Sequence, residues 1–227
     1  PSEAAGLRRG LSEYNRCRLQ RVLSERARAE AAVGQGGKKV SQRPDTKAIE
    51  DTKKSGLCTR IRDEAEARKK GWTALAYGAV VGSMHGDGVR VGQAFWSRAE
   101  LSVCGMHFPP VAGIDTATVN TAGEQVLKVA TSLVVGGNYE DNSDASAKAG
   151  EIVYTGSGGC DLLGNKKQVA DQTLDTPVNR ALANCVAVKT PVRLVRKNKC
   201  AASYSGNVFM YDGLWDVVEH WDEKGVS

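Results

Sequence analysis

The sequence predicts an α+β chain: a helical lead-in, then a β-rich domain of many short strands closed or nearly closed into a barrel. Three observations carry this. Apolar residues recur at helical spacing before about residue 80 and at spacing two from Gln93 onward. Gly, Asn and Asp gather between the period-two runs, where chains turn. Only one later segment, Pro177 to Cys185, reads as a helix among those strands.

The first helix places Leu7, Leu11, Tyr14, Leu19, Val22 and Leu23 on one broad face, with Arg8, Arg9, Arg16, Arg21 and Glu25 largely elsewhere. Ala27 to Ala32 prolong it, and Gly34-Gln35-Gly36-Gly37 end it. A second helix follows Pro44-Asp45 toward Gly56, and a third, rich in alternating charge, covers Thr59 to Lys70. Their charge runs read as solvated faces. The glycine-dotted stretch Gly71 to Gly92 reads as a linker or lid. The division expected is residues 1–79 as a lead-in packing on the barrel and 80–227 as the β domain.

From Phe95 to Val103 the odd positions are mostly apolar and the even ones mostly polar, which predicts a half-buried strand. Further strands are expected over Leu127–Val135, Glu151–Thr155, Pro191–Arg196, Val208–Tyr211 and Leu214–Trp221. The helix at Pro177 is expected to carry Asp175 or Thr176 as its cap, with Pro177 in the first turn.

At 227 residues, 41% hydrophobic and 25% charged, the chain can bury a core and is not a disordered composition. No run of 18 apolar residues exists, so no membrane-spanning helix is expected. The opening residues lack the basic, apolar and small pattern of a secretory signal, and the absence of an initial Met suggests a piece of a longer protein. The six cysteines, Cys17, Cys58, Cys104, Cys160, Cys185 and Cys200, form no C-x-x-C pair, so they read as reduced thiols rather than a zinc site. The net charge of +5 tilts only weakly toward an anionic partner.

Three enzyme classes fail on their motifs. The three histidines, His85, His107 and His220, sit in no H-E-x-x-H and beside no cysteine cluster. Tyr154-Thr155-Gly156-Ser157-Gly158-Gly159 lacks the G-K-[ST] ending of a phosphate loop and reads as a tight turn. Ser157 stands in G-S-G-G, which is not the G-x-S-x-G of a nucleophile elbow. No catalytic residue, metal site or cofactor is expected.

A specific signal comes from ordered blocks. They are Val91-Gly92, Arg98-Ala99-Glu100-Leu101, Gly105-Met106-His107 and Val111-Ala112-Gly113-Ile114-Asp115, then Gly136-Gly137-Asn138-Tyr139-Glu140-Asp141. Tyr154 to Gly159, Asn179-Arg180-Ala181-Leu182, Pro191-Val192-Arg193 and Tyr211-Asp212-Gly213-Leu214 follow. Together, over roughly positions 80 to 225, they resemble the SRA (SET- and RING-associated, or YDG) domain. Arg43 to Ala48 and the helix before it are similar to the lead-in of plant SUVH histone methyltransferases. The resemblance implies a PUA-like twisted β-barrel with flanking helices that flips 5-methylcytosine out of duplex DNA. No pre-SET or SET region stands in these residues, so the methyltransferase chemistry is absent from them.

What the resemblance implies follows physically. Extruding a base costs a few kcal/mol, which the pocket must recover. Two aromatic rings around the base return about 1–3 kcal/mol per base, and by the resemblance these are Tyr139 and Tyr154. A carboxylate accepting from the cytosine N4 amine rejects thymine; Asp141 is the first candidate and Asn142 the next. Thr155 and the backbone at Gly136 and Gly137 complete the pocket, and a niche for the C5 methyl adds roughly 1 kcal/mol. Asn138 and a lengthened loop between the tyrosines depart from the family pattern. Val111 stands where the family fills the vacated stack from the minor groove. Asn165-Lys166-Lys167 is similar to the Asn-Lys-Arg finger of ubiquitin-ligase SRA domains, but a lysine lacks the forked donors of an arginine.

The reading is therefore a nuclear, chromatin-associated reader of double-stranded methylated DNA, not itself an enzyme. Its expected parent is a SUVH-type histone H3 methyltransferase that meets histone H3 through domains outside these residues. A RING-type ubiquitin ligase, a stand-alone reader, a modification-dependent nuclease and an RNA-binding barrel are the alternatives.

Overall fold

The computed structural model describes residues 3–34, 89–120, 126–136, 150–159, 170–203 and 206–224. The helices expected after Pro44 and over Thr59–Lys70 lie outside them. The chain divides into two compact units: Pro1–Ala76, His85–Pro110 and Asn198–Met210 in one, and Tyr77–Met84, Val111–Lys197 and Tyr211–Ser227 in the other.

In the first unit, helix α1 spans Glu3–Gly34. Alanine, leucine, arginine and glutamate, all good helix formers, dominate it. The exposed i,i+3 pairs Glu13–Arg16 at 2.6 Å and Glu25–Arg28 at 2.8 Å add only tenths of a kcal/mol. Attachment comes instead from Tyr14, which is fully buried and packs with Leu11 and Cys17 on Ala99 and Val103. The buried stripe is narrower than expected, because Leu19 and Leu23 stand 54% exposed while Val22 is buried. The helix that carries Ala99 and Val103 is six residues long, about 9 Å, and covers one stripe only.

That helix, α2 (Arg98–Val103), replaces the strand expected over Phe95–Val103; only Ala94–Phe95 is extended, as strand β1. The Ser97 hydroxyl accepts the Glu100 N–H at 3.2 Å, and the Glu100 carboxylate accepts the Trp96 N–H at 2.6 Å. The Ser97 half of this cap matches the S-x-x-E signature, while Glu100 reaches one residue further back, to the N–H before the N-cap; the alternation in the sequence predicts a strand instead. The alternation misled because Glu100 and Ser102 are buried along with Ala99, Leu101 and Val103. Among the described residues, no helix is long and apolar enough to cross a membrane.

In the second unit, β2 (Ile114–Asn120) and β3 (Val126–Val135) form an antiparallel pair with a bulge between Asp115 and Thr116. β2 is absent from the strands expected above, although Ile114, Thr116, Thr118 and Val119 are β-branched. Helix α3 (Pro177–Val188) lies close to its expected bounds, with Thr176 as the extended N-cap residue and Lys189 in the left-handed region at φ 52° after its end. The Thr176 side chain makes no capping bond, whereas the exposed Asp175 meets Arg180 at 3.5 Å. Through α3 the chain returns to β4 (Val192–Lys199), which runs parallel to β3, a pairing that needs such a crossover.

Cross-strand partners share a sheet face. Ile114, Leu133 and Leu194 are such a row, and they pack with Val129, Ala130 and Cys185 into the core under α3. Asp115, Ser132 and Arg193 form the adjacent row on the opposite face and are also buried.

Strand β5 (Asn207–Trp215) joins the two strands expected on either side of Asp212. From Asp216 to Lys224 the chain has no regular structure, and Val218 and Trp221 are exposed. Tyr211 is buried, which raises its phenol pKa against a partial pull from the Arg193 charge. Asp212 accepts from Arg196 at 2.7 Å, and the Arg196 guanidinium lies 5.7 Å from the Trp215 ring centre. This pairing fixes Y-D-G as a packing element between neighbouring strands.

The strands order as β1-β5-β4-β3-β2, antiparallel and parallel mixed. The α+β class is as expected. The described strands form an open sheet with β1 and β2 at its edges, not a closed barrel. Locally, β1 has two residues, and the segment Glu151–Thr155, expected to supply a strand, joins no ladder.

Candidate nucleic-acid interface

Residues from three of the quoted sequence blocks converge at one end of the β2–β3 pair. Gly113 immediately precedes β2 and its carbonyl accepts the Val134 N–H at 2.8 Å. Gly136 immediately follows β3. Tyr154 comes from the ladderless segment and reaches the same place, since a Cβ built on Gly113 would overlap the Tyr154 hydroxyl. The absence of a side chain at Gly113 is what admits the phenol.

Gly136 adopts φ 155°, and a Cβ there would stand 2.7 Å from the Lys197 Cβ. The aliphatic stem of Lys197, on β4, thus lies across the point where the chain leaves β3. Tyr154 itself is half-buried and packs against the core cluster under α3. That cluster gives the residue a close-packed support. Thr155 is half-buried beside it.

The turn after Thr155 is tied to α3. Asn179 Oδ1 accepts the Ser157 N–H at 2.7 Å, and Asn179 Nδ2 donates to the Ser157 and Thr173 carbonyls, both at 2.9 Å. Gly158 and Gly159 follow at φ 118° and 67°, a conformation that glycine adopts without strain.

Val111 lies two residues before Gly113 and is 70% exposed, next to the exposed Pro110 and Ala112. An exposed β-branched apolar side chain on a proline-bounded turn is what a wedge requires. The structure thus brings Val111, Gly136, Tyr154 and Thr155 to one end of the second unit. Gly137, Tyr139, Asp141, Asn142, Asn165, Lys166 and Lys167 lie outside the described residues. Sequence reasoning missed Gly113 and Asn179 as parts of the site, although both stood inside quoted blocks. Only the contact with Tyr154 and the bonds to Ser157 give them a role.

The core thiols offer no nucleophile. Burial pushes Cys185 up to about 11, against its contact with the Ala130 carbonyl, and burial with the nearby Glu100 charge raises Cys104 well above the ordinary thiol value. The four described cysteines, Cys17, Cys104, Cys185 and Cys200, are unbridged. His107 is buried and His220 is exposed. Among the described residues no three His, Cys, Asp or Glu side chains group as metal ligands.

Comparison with known proteins gives a consistent result. The family described as SAD/SRA domain matches residues 81–227. The histone-lysine N-methyltransferase SUVH4, H3 lysine-9 specific, of Arabidopsis thaliana is 41% identical over 143 residues, 62% of this chain and 22% of that protein. The E3 ubiquitin-protein ligase UHRF1 of Danio rerio is 41% identical over 163 residues, 62% of this chain and 19% of that one. The chain thus spans about a fifth of the length of these curated relatives. A crystal structure of KRYPTONITE in complex with mCHH DNA, H3(1-15) peptide and SAH superposes with a TM-score of 0.69 at 30% identity. That match covers 100% of this chain and 41% of the other.

Proposed function

The chain belongs to the SAD/SRA domain family, and from that membership we propose that it binds methylated duplex DNA by taking 5-methylcytosine out of the stack into an aromatic pocket. The observation that carries this reading is the convergence of Val111, Gly113, Gly136 and Tyr154 at one end of β2 and β3. An exposed wedge and a half-buried aromatic platform at one place are the two parts base extrusion needs: one fills the hole and the other receives the base.

In this reading Tyr154 and Tyr139 sandwich the base, and Thr155 and the backbone at Gly136 and Gly137 line it. Asp141, or Asn142 in its place, accepts from the N4 amine. Asn165, Lys166 and Lys167 meet the DNA from the other side, the lysines chiefly through phosphate charge. The module targets a larger nuclear protein to methylated chromatin. The KRYPTONITE match spans the lead-in as well as the β domain, which favours a histone H3 methyltransferase parent over a ubiquitin ligase. Contact with histone H3 belongs to other parts of that parent.

The test is a titration of duplexes that differ only in cytosine methylation and sequence context. Tyr139→Ala and Tyr154→Ala should each remove most of the preference for the methylated duplex while thermal unfolding stays cooperative. Wild-type preference in both variants would sink the sandwich.

A further inference from the structure

We propose that Asn179 is a positioning residue for the base pocket, holding the Tyr154–Thr155 wall to helix α3 by pairing with the backbone of Ser157. This rests on the reading of Tyr154 as a base platform.

The segment that carries Tyr154 belongs to no strand or helix, so contacts outside regular structure hold its backbone. Asn179 supplies two of them, at Ser157, with one side chain. Its amide oxygen takes the Ser157 N–H at 2.7 Å and its amide nitrogen gives one hydrogen to the Ser157 carbonyl at 2.9 Å. Donor and acceptor of one residue are thus matched as a neighbouring strand would match them. The second amide hydrogen goes to the Thr173 carbonyl at 2.9 Å, so the oxygen and both hydrogens of the amide are engaged.

Asparagine is a weak helix former, and Asn179 sits in the first turn of α3 without capping that helix. It is nevertheless 7% exposed, so its polar atoms are oriented by the loop and not by water. The approach is close: a Cβ on Gly156 would lie 3.1–3.3 Å from the Asn179 amide atoms. Helix α3 is in turn fixed to β3, by Asn184 Nδ2 on the Lys128 carbonyl at 2.8 Å and by Cys185 in the core. Rigidity therefore passes from the sheet through α3 and Asn179 to the backbone three residues beyond Tyr154. At its other end the ring is seated at Gly113. A stacking platform keeps its full effect only if held to within about half an ångström.

The experiment measures dissociation constants for a methylated and a plain duplex of one sequence, on the full chain, for the wild type and for Tyr154→Ala, Asn179→Ala, Asn179→Asp and Gly156→Ala. Asn179→Ala should lower the methylated-to-plain preference about tenfold, within the range that one stacked base contributes, with plain-duplex affinity unchanged. Asn179→Asp keeps the acceptor but loses both donors and faces two carbonyls, so it should lose at least as much. Combined with Tyr154→Ala, Asn179→Ala should add no further loss, because it acts through that ring. The proposal is overturned by a wild-type preference in Asn179→Ala, by equal loss on both duplexes, or by additive losses in the double variant. Should Asn179→Ala fail to fold, Gly156→Ala decides: its Cβ presses the clamp from the loop side, and a wild-type preference there refutes the proposal. An unchanged preference in Tyr154→Ala instead removes the pocket reading itself, whatever Asn179 does.

Discussion

Gly113→Ala is the substitution whose effect the structure defines most closely. Gly113 does not occupy the left-handed region, so alanine meets no backbone strain there. What it meets is the Tyr154 hydroxyl, which the new methyl would overlap, while Val134 O at 3.5 Å and Tyr154 Cζ at 3.6 Å are at ordinary contact distance. The phenol must therefore retreat by about an ångström, and packing an extra methyl costs about 1–3 kcal/mol of stability. A ring displaced that far loses most of the stacking it offers a base, about 1–3 kcal/mol, or roughly 5- to 150-fold in affinity for a methylated duplex. Affinity for the plain duplex, which rests on phosphate charge, should hardly change. Tyr154→Phe removes the one atom in conflict, so the double variant Gly113→Ala, Tyr154→Phe should recover much of the preference. Anisotropy titrations on paired duplexes read both effects. If Gly113→Ala binds like the wild type, or the double variant is as weak as the single one, the seat of the ring at Gly113 has been misjudged.

Further expectations follow from the same geometry. Val111→Gly should weaken flipping, read as a smaller 2-aminopurine fluorescence rise, and an unchanged signal would end its role as the wedge. Lys166→Ala or Lys167→Ala should weaken methylated and plain duplexes alike and reduce the salt slope by about one, whereas a loss confined to CpG duplexes would make that lysine a base reader. Asp141→Ala should cost about 1–3 kcal/mol of base discrimination and Asn142→Ala less, and the opposite ranking in the same titration would move the acceptor to Asn142. Burial raises the Glu100 carboxyl above its ordinary value, against the Trp96 N–H, Asn15 and Arg18, which pull it down. The folded chain thus holds that proton more tightly than the unfolded one, and stability falls as pH rises through the interval above the ordinary carboxylate value. In thermal melts Glu100→Gln should flatten that part of the pH profile; an unaltered slope would place its origin elsewhere.

Much of this protein was legible in its sequence because the signals were local or ordered along the chain. Pro177 before an apolar helical period gave α3, and β-branched alternation gave β3 and β4. The succession of short blocks ending in Y-D-G pointed to the family without any knowledge of packing. Tertiary structure decided the rest, wherever burial on both sides or contact across the chain outweighed local pattern. The alternation from Phe95 to Val103 became a helix because Ser97 and Glu100 cap it and all five residues after Arg98 are buried. Tyr154 lies in a segment with strand-like composition that joins no ladder; its hydroxyl reaches Gly113, and the backbone three residues on, at Ser157, is held by Asn179. Gly113 and Asn179 lie 41 positions before and 25 after Tyr154, and no period of two or 3.6 reaches so far. Sequence could single out Tyr154 by resemblance; only the fold could supply the glycine that admits its ring and the amide that holds the backbone at Ser157.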